Sequence, residues 1–308
     1  MPVKMIRTSI LSALAMGAAL APITVEAAPR SWMLPSETMF VGSGDEWLTV
    51  DAALSTDLYY FDHAVQNWEP FALAPDGSKV AVENSAKGRL RQTFDVHVVQ
   101  PGTYKIAIVS ESVSGSYLLN GERKMLPRGT TPAALAQAVP AGATDVWSAV
   151  NTSRIETFAT AGEPTTAVFK PTGKGLEMVP VTHPTELASG EAATFQFLLD
   201  GKPAADLSVS AVNGGVRYRD GIQQLDLTTD AEGKVTITWP DAGMWWVNVA
   251  SGGGRSAAGP GGSAPQASAK AEQPLAAGNL PGGEGAPRPI APPRPRSSYS
   301  MTVEVLPS

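Results

Sequence analysis

Ala193-Thr194-Phe195-Gln196-Phe197-Leu198-Leu199, then Asp200-Gly201-Lys202-Pro203, then Leu207 to Val212, sets the reading of this chain. Around it lie further pieces of the same kind. Thr182-His183-Pro184 and Ser189-Gly190-Glu191 precede it. Leu225 to Thr229, Asp230-Ala231-Glu232-Gly233, Lys234 to Trp239, Pro240-Asp241-Ala242-Gly243 and Met244 to Val249 follow. Short β-branched and aromatic runs cut by Asp-Gly and Pro-Gly type turns predict antiparallel strands stacked as a sandwich. The stretch carries no catalytic signature.

The same grammar recurs upstream. Ser43-Gly44-Asp45-Glu46 leads into Trp47-Leu48-Thr49-Val50-Asp51-Ala52, which alternates as a half-buried strand does. Ala74-Pro75-Asp76-Gly77-Ser78-Lys79 is a turn. Thr93 to Val99, Gln100-Pro101-Gly102 and Tyr104 to Val109 match Lys234 to Trp239, Pro240 to Gly243 and Met244 to Val249. A degenerate repeat of two sandwiches, each with its own inward apolar face, would explain the match; the turn-strand-turn grammar common to all-β chains is the competing reading. Between them, Thr131-Pro132-Ala133-Ala134-Leu135 has a Thr cap and a Pro at the first position. It predicts one short helix ending at Pro140. Asp145 to Thr160 reads as extended.

Residues 1–27 have a basic start at Lys4 and Arg7, an apolar core from Ile10 to Ile23, and Val25 and Ala27 before the cut. That order predicts a signal peptide cleaved before Ala28 and a periplasmic mature chain with no transmembrane segment. The domains are then an N-terminal sandwich over 28–170 and a C-terminal Ig-like sandwich over 171–308. Residues 251–297 form a Gly-, Pro- and Ala-rich insertion with little to bury, expected to be flexible. Ser298 to Val305 alternates and predicts a last strand that returns to the second sandwich. The net charge of −6 argues against nucleic acid. The chain has no cysteine, which rules out disulfides and thiolate metal sites.

Nucleotide-binding glycine motifs, the Gly-x-Ser-x-Gly elbow and His-Glu-x-x-His are all absent. The three histidines are His63, His97 and His183. In Thr93-Phe94-Asp95-Val96-His97-Val98, period two puts Asp95 and His97 on one face. His63 follows Asp62 in Tyr60-Phe61-Asp62-His63. Imidazole and carboxylate suit a divalent transition metal such as nickel, cobalt, zinc or copper, so His63, His97, Asp62 and Asp95 are the candidate metal ligands. Surface polarity on strands is the competing reading of the same four residues. Pro184 holds His183 extended, which fits a structural hydrogen bond across the domain junction. Trp245 and Trp246 are adjacent, so one is expected to face inward and one outward.

Beyond these patterns, the segments Pro180 to Pro184, Phe197 to Pro203, Gly215-Val216-Arg217-Tyr218-Arg219-Asp220, Leu227 to Gly233 and Trp239 to Trp246 resemble an uncharacterised-domain family of Gram-negative periplasmic proteins. Trp32 to Pro35, Tyr60 to His63 and Phe94 to His97 extend the resemblance over nearly the whole mature chain outside the insertion. Members are often described as the periplasmic component of a cobalt or nickel transport system. Many carry a histidine where this chain has Ala28-Pro29-Arg30-Ser31. A site here would therefore be open, with water or a partner's ligand completing it.

The sequence thus predicts an all-β, non-enzymatic periplasmic protein of two tandem Ig-like sandwiches with one short helix between them. Its expected role is accessory binding for nickel or cobalt uptake, with an envelope transporter or outer-membrane receptor as partner. The alternative is a structural or protein-interaction module without metal, touching its partner through the outward tryptophan and the arginines at the end of the insertion.

Overall fold

The computed structural model describes residues 29–41, 45–64, 68–251 and 294–308. Residues 1–27, expected to be a signal peptide, the expected cleavage point before Ala28, Ser43 and Gly44 of the first turn, and most of the insertion lie outside the described residues.

The first half contributes β1 (Arg30–Pro35), β2 (Met39–Phe40), β3 (Glu46–Ser55), β4 (Pro70–Leu73), β5 (Lys79–Val80), β6 (Val82–Lys87), β7 (Arg91–Val98), β8 (Gly102–Leu119), β9 (Glu122–Met125) and β10 (Thr144–Ala161). The second contributes β11 (Leu176–Pro180), β12 (Ala192–Leu199), β13 (Lys202–Pro203), β14 (Ser208–Asn213), β15 (Leu225–Thr228), β16 (Lys234–Thr238), β17 (Gly243–Ala250) and β18 (Arg296–Val305). Turn chemistry sets many of the joints. Asp200 and Gly201 both have positive φ, 50° and 76°, as a two-residue hairpin between β12 and β13 requires.

These strands form three layers. A front sheet runs β1-β3-β7-β6. A back sheet is built on β12, flanked by β11, β13 and β16. Between them a long central sheet runs β15-β14-β17-β18-β10-β8-β4-β5, with β2 and β9 added at its side. This order reads alike from either end: each half gives an edge strand, a second strand and an antiparallel pair. The halves meet where β10 and β18 pair in parallel, Ile155 beside Ser300 and Thr157 beside Thr302.

Period two then places the cores. Ile155, Ala159 and Ala161 of β10 face the front sheet and pack with Met33, Leu48, Phe94 and Tyr104. Tyr299, Met301, Val303 and Val305 of β18 face the back sheet and pack with Phe195, Phe197, Val235 and Trp239. The two sandwiches therefore share their middle layer.

Three expectations change in detail. The helix is a single turn, Leu135–Ala138, although Thr131 Oγ1 does accept the Ala134 N–H at 3.2 Å. The strand expected over Tyr104 to Val109 is 18 residues long. Its distal half pairs with β10 and β9, and Val113, Tyr117 and Leu126 form a small separate core there. Finally, neither Trp245 nor Trp246 is a surface ring, being 1% and 4% exposed. They do face opposite ways, as a strand dictates. Both sides of β17 are covered, so Trp246 packs with Trp32, Leu58 and Val212 and donates Nε1–H to the Ser31 carbonyl at 2.9 Å.

Candidate functional site

The four residues singled out as ligands fall into two separate places. Asp95 and His97 do share the outer face of the front sheet. The register of β3 against β7 sets Trp47 beside His97 and Thr49 beside Asp95. His97 stacks flat on Trp47, ring centres 4.4 Å apart, and its Nε2 meets the Asp45 carboxylate. Asp95 instead accepts Thr49 Oγ1–H at 2.7 Å and Asn84 Nδ2–H at 2.8 Å. His63 and Asp62 lie past the other end of β3, where Asp62 accepts the Thr56 N–H at 3.0 Å and meets His63 Nδ1 at 2.5 Å. Burial pushes the Asp62 carboxyl up, but His63 and the Thr56 amide outweigh it and hold the group below its ordinary range.

From Trp47 to Ser55 is eight residues of strand, roughly 26 Å. The two nitrogens of one metal site lie about 4 Å apart. The structure therefore does not bring His63 and His97 together. Among the described residues, no group of three or more His, Cys, Asp or Glu could hold a metal ion. His63 and His97 each have one carboxylate for a companion at the surface.

His183 sits where the halves join. Its Nε2 lies 3.1 Å from the Thr165 carbonyl and 3.2 Å from Thr103 Oγ1, and its Nδ1 lies 3.0 Å from Thr185 Oγ1. Thr160 closes the ring, 3.0 Å from Thr103 and 2.9 Å from Thr185. Burial lowers the histidine's pKa. This is the structural role expected of it.

The back side of the central sheet holds a buried charged cluster that sequence reading missed. Arg154 reaches Glu156 at 3.3 Å and Glu177 at 3.4 Å, Lys105 lies 3.8 Å from Glu156, and Tyr299 donates its hydroxyl to Glu156 at 2.8 Å. The Glu177 carboxyl is raised by burial, but the Thr172 and Gly173 amides and Arg154 more than reverse that. Burial, with the Glu156 charge, drives the Tyr299 hydroxyl well above its ordinary pKa. A cleft of about 420 Å³ opens beside Arg154, with Glu111, Lys174 and Asp200 at its rim. Two cations face two carboxylates, and each charge is matched. The cluster's arrangement suits locking β10, β11 and β18 together.

A different surface stands out at the Ser55 end of the front sheet. The loop after β3 and the 3-10 turn Val216–Tyr218 meet there. Arg217 lies over the Tyr60 ring at 3.6 Å and bonds Asp57 at 2.9 Å. Arg91 lies over Phe61 at 4.9 Å, and Phe61 packs on Trp32 at 5.6 Å. Tyr218 is 84% exposed, and Phe61 and Leu90 are open as well. Below, Trp32, Leu58, Tyr59 and Trp246 form a firm base. Buried Arg30 packs on Trp246 and bonds the Thr56 carbonyl at 2.9 Å. The aromatic-arginine composition of Tyr59 to Phe61 and Arg217 to Arg219 was visible in the sequence, but no local pattern could show that the two segments touch.

A family model described as a domain of unknown function (DUF4198) matches residues 27–252. No curated protein matches the chain. Among solved structures, trypsin-activated alpha-2-macroglobulin from Escherichia coli is similar at 11% identity over 73% of this chain, with a TM-score of 0.21. The native conformation of the same E. coli protein gives 11% identity over 73% and a TM-score of 0.21. This chain spans 14% and 13% of those two chains. The D0-D1 domain of Intimin gives 12% identity over 70% of this chain and 88% of that one, with a TM-score of 0.18.

Proposed function

We propose that this chain, which belongs to the family described as a domain of unknown function (DUF4198), acts as a non-enzymatic contact module of the bacterial envelope. Residues 1–27 direct it to the periplasm, and the aromatic-arginine surface at the Ser55 end of the front sheet makes its contacts. One observation carries this reading: Tyr60, Phe61, Arg217 and Tyr218 stand on a fully packed base yet remain accessible. Tyr and Arg on a rigid support are the side chains that dominate binding surfaces, because they bring large contact area at low entropic cost. The contact site thus moves from the tryptophan pair, which is buried, to these loops. The nickel and cobalt role implied by the family resemblance gains no support from His63 and His97, which lie too far apart to share an ion.

In-cell photo-crosslinking tests the reading. A photoreactive residue placed at Tyr218 or Phe61 should give discrete adducts, examined for both protein and lipid mass. The same residue at exposed Val146 should give none, and Arg217→Ala should weaken the adduct at 218. Absence of adducts at both loop positions, or equal adducts at Val146, overturns it.

A further inference from the structure

We infer that this surface is filled by a second copy of the chain, through its proline-rich segment Pro287 to Pro295, an inference that rests on the contact-surface reading above. The charges on the surface are largely matched. Asp57 holds Arg217, Asp51 holds Arg91 at 3.3 Å, and Arg219 donates back to the Asn213 carbonyl at 2.7 Å. Net charge therefore does not choose the occupant, and the rings do. The two loops that carry them are clamped on each other, since a Cβ on Gly214 would fall 2.9 Å from Tyr59 Cδ2. A side-chain hydrogen bond joins Tyr60 to Tyr218. Phe61 follows Tyr60, braced by Trp32 below and Arg91 above.

Proline suits such a surface. Its ring lays apolar C–H groups on aromatic faces, and its fixed φ leaves little freedom to lose on docking. Five of the nine residues from Pro287 to Pro295 are proline, Pro289 and Pro292 stand three apart, and Arg288 and Arg294 flank them. Asp220, two residues past Tyr218, has no cation partner among the described residues and can receive one of those arginines. The segment's place in the chain points to another copy. It ends at Arg296, which pairs with Asn151. The loop bearing Tyr218 leaves the sheet at Gly214, which bonds Met244, the partner of Glu304. From Arg296 to Glu304 is eight residues of β18, roughly 26 Å. From Arg296 back to Pro292 is four residues, a reach of about 12 Å for extended proline-rich chain. Pro292 and Pro293 thus fall short of their own surface, whereas those of a second copy meet no such limit.

The chain has no cysteine, so Ala291→Cys puts a single thiol on the segment. Mature full-length protein carrying a photoreactive maleimide there is mixed with an equal amount of unlabelled protein grown on heavy nitrogen, irradiated and digested. Adducts should join residue 291 to heavy peptides containing Tyr60, Phe61 or Tyr218. Tyr218→Ala in the heavy copy should lower that yield about five-fold or more. Its melting temperature should not change, because Tyr218 is 84% exposed. A synthetic peptide of residues 286–296 should compete, and the same peptide with alanine for its prolines should not. Adducts confined to the light chain, adducts spread over other surfaces, no adducts, or a Tyr218→Ala copy captured as well as the unaltered one overturns the inference. Adducts in cells at Tyr218 or Phe61 with no capture of a second copy remove this occupant and keep the contact surface. No adducts in either experiment remove both.

Discussion

The backbone allows His183 one neutral tautomer. The Thr185 N–H points at Nδ1 from 3.3 Å, so that nitrogen must carry a lone pair. Nε2 then holds the proton and donates it to the Thr165 carbonyl. A second proton on Nδ1 would set two donors against each other and cut the ring of threonine hydroxyls. Burial lowers the pKa, against weaker opposing pulls from the Thr165 carbonyl and Glu186. The unfolded histidine takes its proton near pH 6.5, before the folded one does, so the stabilisation is complete above about pH 6.5 and is lost as pH falls towards the folded value. Thermal melts at about pH 7.5 and about pH 5.5 should show a smaller acid-induced drop for His183→Gln than for the unaltered chain. An equal drop would show that the histidine stays unprotonated or that its charge is accommodated. Pro184 made an extended, junction-spanning histidine legible. Its distant partners were not, because Thr103 and Thr165 lie 80 and 18 residues away and look like any surface threonines. His97 is the converse case. Alternation gave its face correctly, but only the register of β3 shows that Asp45 and Trp47 occupy its ring.

Among the elements, β8 and β17 begin alike. Gly102 and Gly243 open them with φ of 122° and 132°, a region few side chains tolerate. Each follows a turn that carries the chain from an outer sheet into the central one. A Cβ on Gly102 would fall 2.6 Å from Pro75 Cβ and 2.8 Å from Thr165 Oγ1, while one on Gly243 would meet Asn213 Oδ1 at 2.9 Å. Both substitutions to alanine should destabilise, through strained backbone and through contact. Gly102→Ala should cost more, on the order of 2 kcal/mol or above, since a proline ring yields less than the tip of an asparagine. Urea unfolding of the two variants checks the order, and a neutral Gly102→Ala would contradict the close approach. Pro101-Gly102 and Ala242-Gly243 were readable as equivalent turns because turn chemistry is local. The distal half of β8 was not read as strand. Ser110 to Ser116 is mostly small and polar, with little apolar alternation, and it is strand because β10 lies beside it along its full length.

At the scale of the molecule, the last strand fills the middle of the structure. β18 lies between β17 and β10 and gives the back core Tyr299, Met301, Val303 and Val305, while Ser300 and Thr302 reach Ser31 and Tyr59 of the first half. A chain ending at Ser297 should therefore lose cooperative unfolding in both halves. Near-ultraviolet circular dichroism and a thermal melt would show it, and a first half that still melted sharply would mean it stands alone. The alternating strands made two sandwiches legible. Their shared layer was not, because a parallel pairing of residues 145 positions apart leaves no local trace. That placement also sets a schedule. A chain emerging from a ribosome or a translocon delivers its amino end first, so β10 waits with one edge bare until β18 is out. Pairings this remote form slowly, and an idle edge recruits whatever strand is nearest. The interval between the arrival of β10 and the arrival of β18 is thus when a neighbouring nascent copy, or a chaperone shielding that edge, decides the yield.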